Sequence, residues 1–365
     1  MTSPSATEGT GMPSFSELRG QLWQAVSDVD ETHAVALVRC AVEAHAAGSS
    51  PQKAAERVLL ELVAPAQERV GVEWAANTVS IAQEHAATAI DERCISAVAD
   101  ACPAGLEPER GRVTVACVDG EWHALPARLV AEVLRLRGWH VDYLGAQVPA
   151  EHLVMYLHRR FSDAVLLSSS IPTYLPVAHT AISSCQTAGI PVLAGGAAFG
   201  PDGCYARLMQ AHWAADAVDA DAVLTRGLEG PAARAARLVD ADLPHLGDQE
   251  YTMVRRTRRQ LVKQTLADVE EGFPAMREYS EYQRERTAED IDHIVNHLAT
   301  ALYVDDPALF TRFIVWTADV LTARGVPAYS LLPALGSLHR QLNDFPRSTG
   351  ILTTARGALT AGRHA

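Results

Sequence analysis

From Phe15 to about Val98 apolar residues recur at helical spacing, and local signals place the breaks between helices. Ser50 followed by Pro51 reads as an N-cap with a first-turn proline, and Gly48 suits the end of a helix that begins near Glu31. Four helices in a bundle is the economical reading. Past residue 105 the pattern changes to short β-branched runs separated by amphipathic helices. Val113–Cys117, His140–Leu144, Ala164–Leu167, Pro191–Ala194 and Ala222–Leu224 are the expected strands. Gly138 and Gly189 fall where a helix has to end before the next strand.

Strands alternating with helices predict a doubly wound parallel sheet of flavodoxin-like α/β type. From about Gln249 the pattern is helical again, broken at Asp305-Asp306-Pro307 and at Gly325-Val326-Pro327. The expected organisation is therefore a disordered tail over 1–14, a four-helix bundle over 15–104, an α/β domain over 105–245 and a C-terminal all-α domain over 246–365. The Pro- and Gly-containing stretch Cys102 to Gly111 reads as the linker between the first two domains.

Composition narrows the functions available. Over 365 residues, 44 acidic side chains face 31 basic ones, a formal charge of -13, so the summed field repels a phosphate backbone and nucleic acid is not an expected direct partner. A basic run, Arg255, Arg256, Arg258, Arg259 and Lys263, stands out against this background as either a solvated helix face or an anion-binding one. The N-terminal stretch lacks the basic start and apolar core of a signal peptide, and no apolar run approaches the ~20 residues that span a bilayer. Six scattered cysteines show no metal or redox spacing. A cytoplasmic protein with reduced thiols is the expectation.

In a doubly wound sheet ligands sit beyond the carboxyl ends of the strands, and most of the unusual residues fall there. The loop after the first strand carries Glu121, Trp122 and His123. Leu144 and Gly145 close the second strand, Ser168-Ser169-Ser170 the third, and Gly195-Gly196 the fourth. A carboxylate that holds one ring nitrogen of an imidazole leaves the other free for a metal and raises its basicity. Small hydroxyl residues and glycines leave room for a slot into which a long ligand tail can descend.

These pieces resemble the cobalamin-binding domain, whose acid-x-His loop is followed by a serine element and paired glycines; Pro126 stands where that pattern has a glycine, and Glu121 where aspartate is commoner. The resemblance implies His123 as the lower axial ligand to cobalt. The cofactor's nucleotide tail would thread past Ser168, Ser170, Gly195 and Gly196. On one helix expected from about Trp74 to Ala97, Trp74, Thr78, Ile81 and His85 share a face flanked by Asn77 and Glu84. The spacing Trp74 to Glu84-His85 resembles the Trp-x9-Glu-His signature of cobalamin-dependent photoreceptors. It implies a bundle capping the upper corrin face, with Trp74 and Glu84 on the adenosyl group of adenosylcobalamin.

In that family light breaks the cobalt–carbon bond and the protein changes its homo-oligomeric state, which implies a sensor and not an enzyme. Ala75 replaces the histidine that ligates cobalt after photolysis in the carotenoid-repressor type, leaving water or His85 for the sixth position. No winged-helix DNA reader is expected ahead of the bundle. The C-terminal unit, with Phe273-Pro274, Asp305-Asp306-Pro307-Ala308-Leu309-Phe310 and Arg324-Gly325-Val326-Pro327, resembles the extension of photocobilins, which implies biliverdin as a second chromophore. Two alternatives stay open: a corrinoid methyl carrier of a methyltransferase system, and a light-indifferent cobalamin sensor acting on a partner protein.

Overall fold

The computed structural model describes residues 13–102, 110–228, 243–272, 276 and 278–361. Most of the expected tail, the linker residues 103–109, the stretch before 243, and Phe273-Pro274 lie outside the described residues. The chain packs as two compact units, one formed by 1–74, 78–111 and 128–141, the other by 75–77, 112–127 and 142–365.

The first unit is helical. Its elements are α1 (Phe15–Ser27), α2 (Glu31–Ala46), α3 (Pro51–Val58), a π-helical turn (Leu59–Val63), α4 (Ala64–Ala75) and α5 (Ile81–Asp100). Because α3, the π turn and α4 follow without a break, these amount to four helical rods, as the apolar spacing predicts. Ser50 caps α3 as expected, its hydroxyl accepting the Lys53 N–H with Pro51 in the first turn. Leu22, Val38, Leu59, Leu62 and Ile95 make the core.

One expectation fails here: the single helix from Trp74 to Ala97 is two helices. Asn77 takes a left-handed φ of 62°, and the Thr78 hydroxyl donates back to the Glu73 carbonyl at 2.8 Å. Ser80 then opens α5 with a reciprocal capping box to Gln83. Trp74 ends α4, whereas Ile81, Glu84 and His85 begin α5, so no common helical face relates them.

The second unit is built on β1 (Arg112–Val118), α6 (Leu125–Leu136), β2 (His140–Val148), α7 (Ala150–Arg160), β3 (Ala164–Ser168), α8 (Leu175–Thr187), β4 (Val192–Gly195), α9 (Cys204–Leu208), β5 (His212–Trp213) and α10 (Ala217–Arg226). All of α6 from Arg128 onward and the start of β2 are counted with the first unit. Strand order is β2-β1-β3-β4-β5, the flavodoxin-like arrangement, with the topological switch between β1 and β3. Val113 to Val118 are all buried, as a strand covered on both faces requires.

Two strand assignments need correction. Ala222–Leu224 lies within α10, which starts from an Asp216 N-cap, and the fifth strand is the two-residue His212–Trp213. β2 also runs on to Val148, so Leu144 and Gly145 sit inside the strand and do not close it.

The C-terminal helices are α11 (Glu250–Gly272), α12 (Glu281–Val304), α13 (Pro307–Ala323), α14 (Leu331–Gln341) and α15 (Pro346–Ala361), with breaks at the two expected places. They were expected to form a separate domain. Instead Leu298, Leu302, Phe310, Leu335 and Leu352 share one continuous core with Val165, Leu167, Ile182 and Val192 of the α/β layer. The buried Glu250 carboxylate helps tie them, accepting the Arg347 and Ser348 N–H groups at the start of α15 at 3.0 and 2.8 Å. Among the described residues no helix is long and apolar enough to cross a membrane.

Candidate functional site

β1 ends at Val118, and the chain turns at once: the Glu121 N–H donates to the Val118 carbonyl at 3.0 Å and the Ala124 N–H to the Trp122 carbonyl at 2.8 Å. This tight path turns Glu121 inward and the two residues after it outward. Glu121 is fully buried, while Trp122 and His123 face outward. Pro126 falls in the first turn of α6, where its fixed φ and missing N–H carry no penalty.

Glu121 is the hub of the site. Its Oε1 accepts from His123 Nδ1 at 2.6 Å and from the His123 N–H at 2.9 Å. Its Oε2 accepts from the Ser170 N–H at 2.7 Å, the Ile171 N–H at 3.1 Å and the Ser169 hydroxyl at 3.2 Å. Burial by itself would raise the carboxyl's pKa, but the hydrogen bonds from the His123 ring, the His123 N–H, Ser170 and Ile171 together outweigh it and hold the group down at about 2.

An ionised carboxylate can only accept, so Nδ1 of His123 carries a proton, and in the neutral tautomer the ring's lone pair lies on Nε2. The His123 side chain is 57% exposed. This is the arrangement of a metal-binding imidazole oriented by a buried carboxylate. Among the described residues there is no group of three or more potential metal ligands.

The neighbouring loops are pinned to the same hub. Ser168 pairs with Cys117 on one side and Gly195 on the other, which brings the ends of β1, β3 and β4 level. The Ser169 N–H donates to the Gly195 carbonyl and the Ala198 N–H to the Ser169 carbonyl, both at 3.1 Å. Gly196 has a φ of 99°, and a Cβ there would lie 2.3 Å from the Ser169 carbonyl oxygen, so only glycine fits. From β2, Gln147 donates its N–H to the Glu121 carbonyl at 3.1 Å, and the Tyr143 hydroxyl reaches the Ala124 carbonyl at 3.2 Å.

The structure thus joins Glu121, His123, the Ser168–Ser170 segment and Gly195–Gly196 around one edge of the sheet. Leu144 and Gly145 are half-buried in β2. Sequence reading missed the roles of Ser169, Ile171, Tyr143 and Gln147. Three of these act through or upon backbone groups that no residue type advertises, and the Ser169 hydroxyl is the exception a serine triplet could have suggested.

In the helical unit Trp74 and Glu84 are half-buried, and Ile81 and His85 are exposed. His85 Nδ1 lies 3.5 Å from Glu84 Oε2, and the Thr88 hydroxyl is 3.4 Å from the other Glu84 oxygen.

Two family models, each described as a B12 binding domain, match residues 18–98 and 111–223. The HTH-type transcriptional repressor CarH of Myxococcus xanthus is 31% identical over 143 residues, covering 38% of this chain and 46% of that protein. The chain therefore matches less than half the length of that relative. Among solved structures, the monomethylamine corrinoid protein of Methanosarcina barkeri is 19% identical over 58% of this chain and 99% of its own, with a TM-score of 0.49. A novel cobalamin-binding protein from Desulfitobacterium hafniense DCB-2 is 19% identical over 58% of this chain and 98% of its own, with a TM-score of 0.33. Similarities this loose add nothing to the fold described above. The two B12-domain matches and the CarH relative support a cobalamin-binding family for this chain.

Proposed function

We propose that the protein is a light-responsive sensor that binds adenosylcobalamin, with His123 as the lower axial ligand. The observation that carries the reading is the Glu121–His123 pair, a buried ionised carboxylate holding Nδ1 of a largely exposed imidazole. Glu121 fixes the tautomer and the ring plane and raises the basicity of Nε2. The segments around Ser168–Ser170 and Gly195–Gly196 present backbone and small side chains, which leaves space for a displaced nucleotide tail. When bound, adenosylcobalamin supplies a cobalt–carbon bond that light can cleave.

Trp74 and Glu84 are assigned to the adenosyl ligand on the strength of the Trp-x9-Glu-His resemblance, and Ala75 withholds an imidazole from the upper position. The relative named as a transcriptional repressor supports a regulatory role in place of a catalytic one. The output is a change in homo-oligomeric state, with contacts made in only one cofactor state biasing a two-state assembly. Biliverdin is the proposed second pigment, held by the C-terminal helices.

The deciding experiment loads the full chain with adenosylcobalamin in darkness and records the visible spectrum and the sizing profile before and after green light. Both should change. No change in either removes the light-sensing reading. Methyl transfer from the loaded protein to a thiol or folate acceptor would favour a methyl carrier instead. Adding biliverdin to the full chain should give a red-absorbing complex, and free-pigment absorption alone would eliminate the second chromophore.

A further inference from the structure

α11 carries four arginines within little more than one turn, and they line a cavity of about 410 Å³ against α12. Among the described residues only one of the four meets a carboxylate. Arg258 Nε lies 3.4 Å from Asp292 Oδ1, and its Nη1 donates to the side-chain oxygen Oδ1 of Asn296 at 3.1 Å. Asn296 in turn donates to Asp292 at 3.0 Å, so the carboxylate is fully engaged with this arginine and its neighbour.

Arg255 donates to the Tyr251 hydroxyl at 2.9 Å, a neutral partner that leaves its charge uncompensated. Arg256 and Arg259 are exposed and form no ion pair among the described residues. Three unneutralised guanidinium groups therefore crowd one cavity in a chain whose formal charge is -13. Like charges this close repel, and only solvent, salt or a bound anion can relieve them. Val254 and Val295, which border the same cavity, are fully buried in the core beneath it and give the site a rigid floor.

We propose that this cavity binds a small diphosphate-bearing anion. Arg255 and Arg259 are four residues apart, about 6 Å along the axis, a separation that suits two linked phosphoryl groups better than one. Guanidinium forks donate to phosphoryl oxygens in parallel pairs. Arg258, fixed by Asp292 and Asn296, supplies a pre-oriented wall to the site. The site lies on α11 and α12 and is independent of the cobalamin reading.

The test titrates the full chain with inorganic pyrophosphate at low salt by calorimetry, with acetate as the monovalent control. Saturable pyrophosphate binding, absent with acetate, is expected. The Arg255→Ser/Arg259→Ser double variant should bind at least tenfold more weakly, with an unchanged circular dichroism spectrum and sizing profile. The proposal is overturned by lack of saturable binding, by equal affinity in the double variant, or by a poly-glutamate peptide binding more tightly than pyrophosphate.

Discussion

The Ser169 carbonyl oxygen lies 2.3 Å from the point where a Cβ on Gly196 would begin. The loops after β3 and β4 are therefore in backbone contact with no room for a side chain. Gly196→Ala combines that clash with an unfavourable positive φ, and it should destabilise the protein by at least about 2 kcal/mol. Urea unfolding measures this, and a change below about 0.5 kcal/mol would contradict the close approach.

Replacing the imidazole separates ligation from folding. His123 is largely exposed, so His123→Ala should leave the urea midpoint nearly unchanged while altering the cobalt spectrum and weakening corrin binding. Glu121→Gln keeps the shape but removes the charge that orients the ring, and should weaken corrin affinity about 10–100-fold. If both variants bind as the parent does, another residue holds the metal.

Acid should act through Glu121. Its folded pKa of about 2 lies below the ordinary 4.5, so its contribution to stability is complete above pH 4.5 and is lost as pH falls toward 2. The linkage is worth about 3 kcal/mol at most. Unfolding free energies of the parent and of Glu121→Gln, measured from pH 6 to 2, should converge as the pH drops; parallel curves would show that this carboxylate is not held ionised.

Asp91 of α5 gives the opposite sign. It is buried with neither oxygen hydrogen-bonded, and burial pushes its pKa from 3.8 to about 8. The folded state favours the neutral acid, so stability is intact below pH 3.8 and erodes as pH rises toward 8. By pH 7 the loss is about 4 kcal/mol. Asp91→Asn should remove this dependence, so the variant should gain on the parent as pH increases. A difference that stays constant from pH 4 to 8 would refute it.

Much of the architecture could be read from local chemistry. Ser50-Pro51 and Asp305-Asp306-Pro307 act through caps and proline geometry, which depend on a few adjacent residues. β5 was hidden because two residues, His212 and Trp213, are too short to show an alternation. Ala222–Leu224 misled because an apolar run of that length reads as strand or helix alike, and the Asp216 cap was the cue that decides. The break after Trp74 was announced by Ser80 and Gln83, a capping pair that helical periodicity alone overrode. At the site, Glu121 and His123 were visible as residue types. The N–H groups of Ser170 and Ile171 that keep Glu121 ionised were not, because tertiary folding brings them there from 49 and 50 positions along the chain.

That carboxylate also makes a mechanical linkage. One oxygen grips the imidazole and the other grips the turn after β3, whose Ser169 carbonyl abuts Gly196 in the next loop. A pull on the ring is thus passed along a short train of stiff contacts to two neighbouring turns. Whatever tugs at His123 does not tug at it alone.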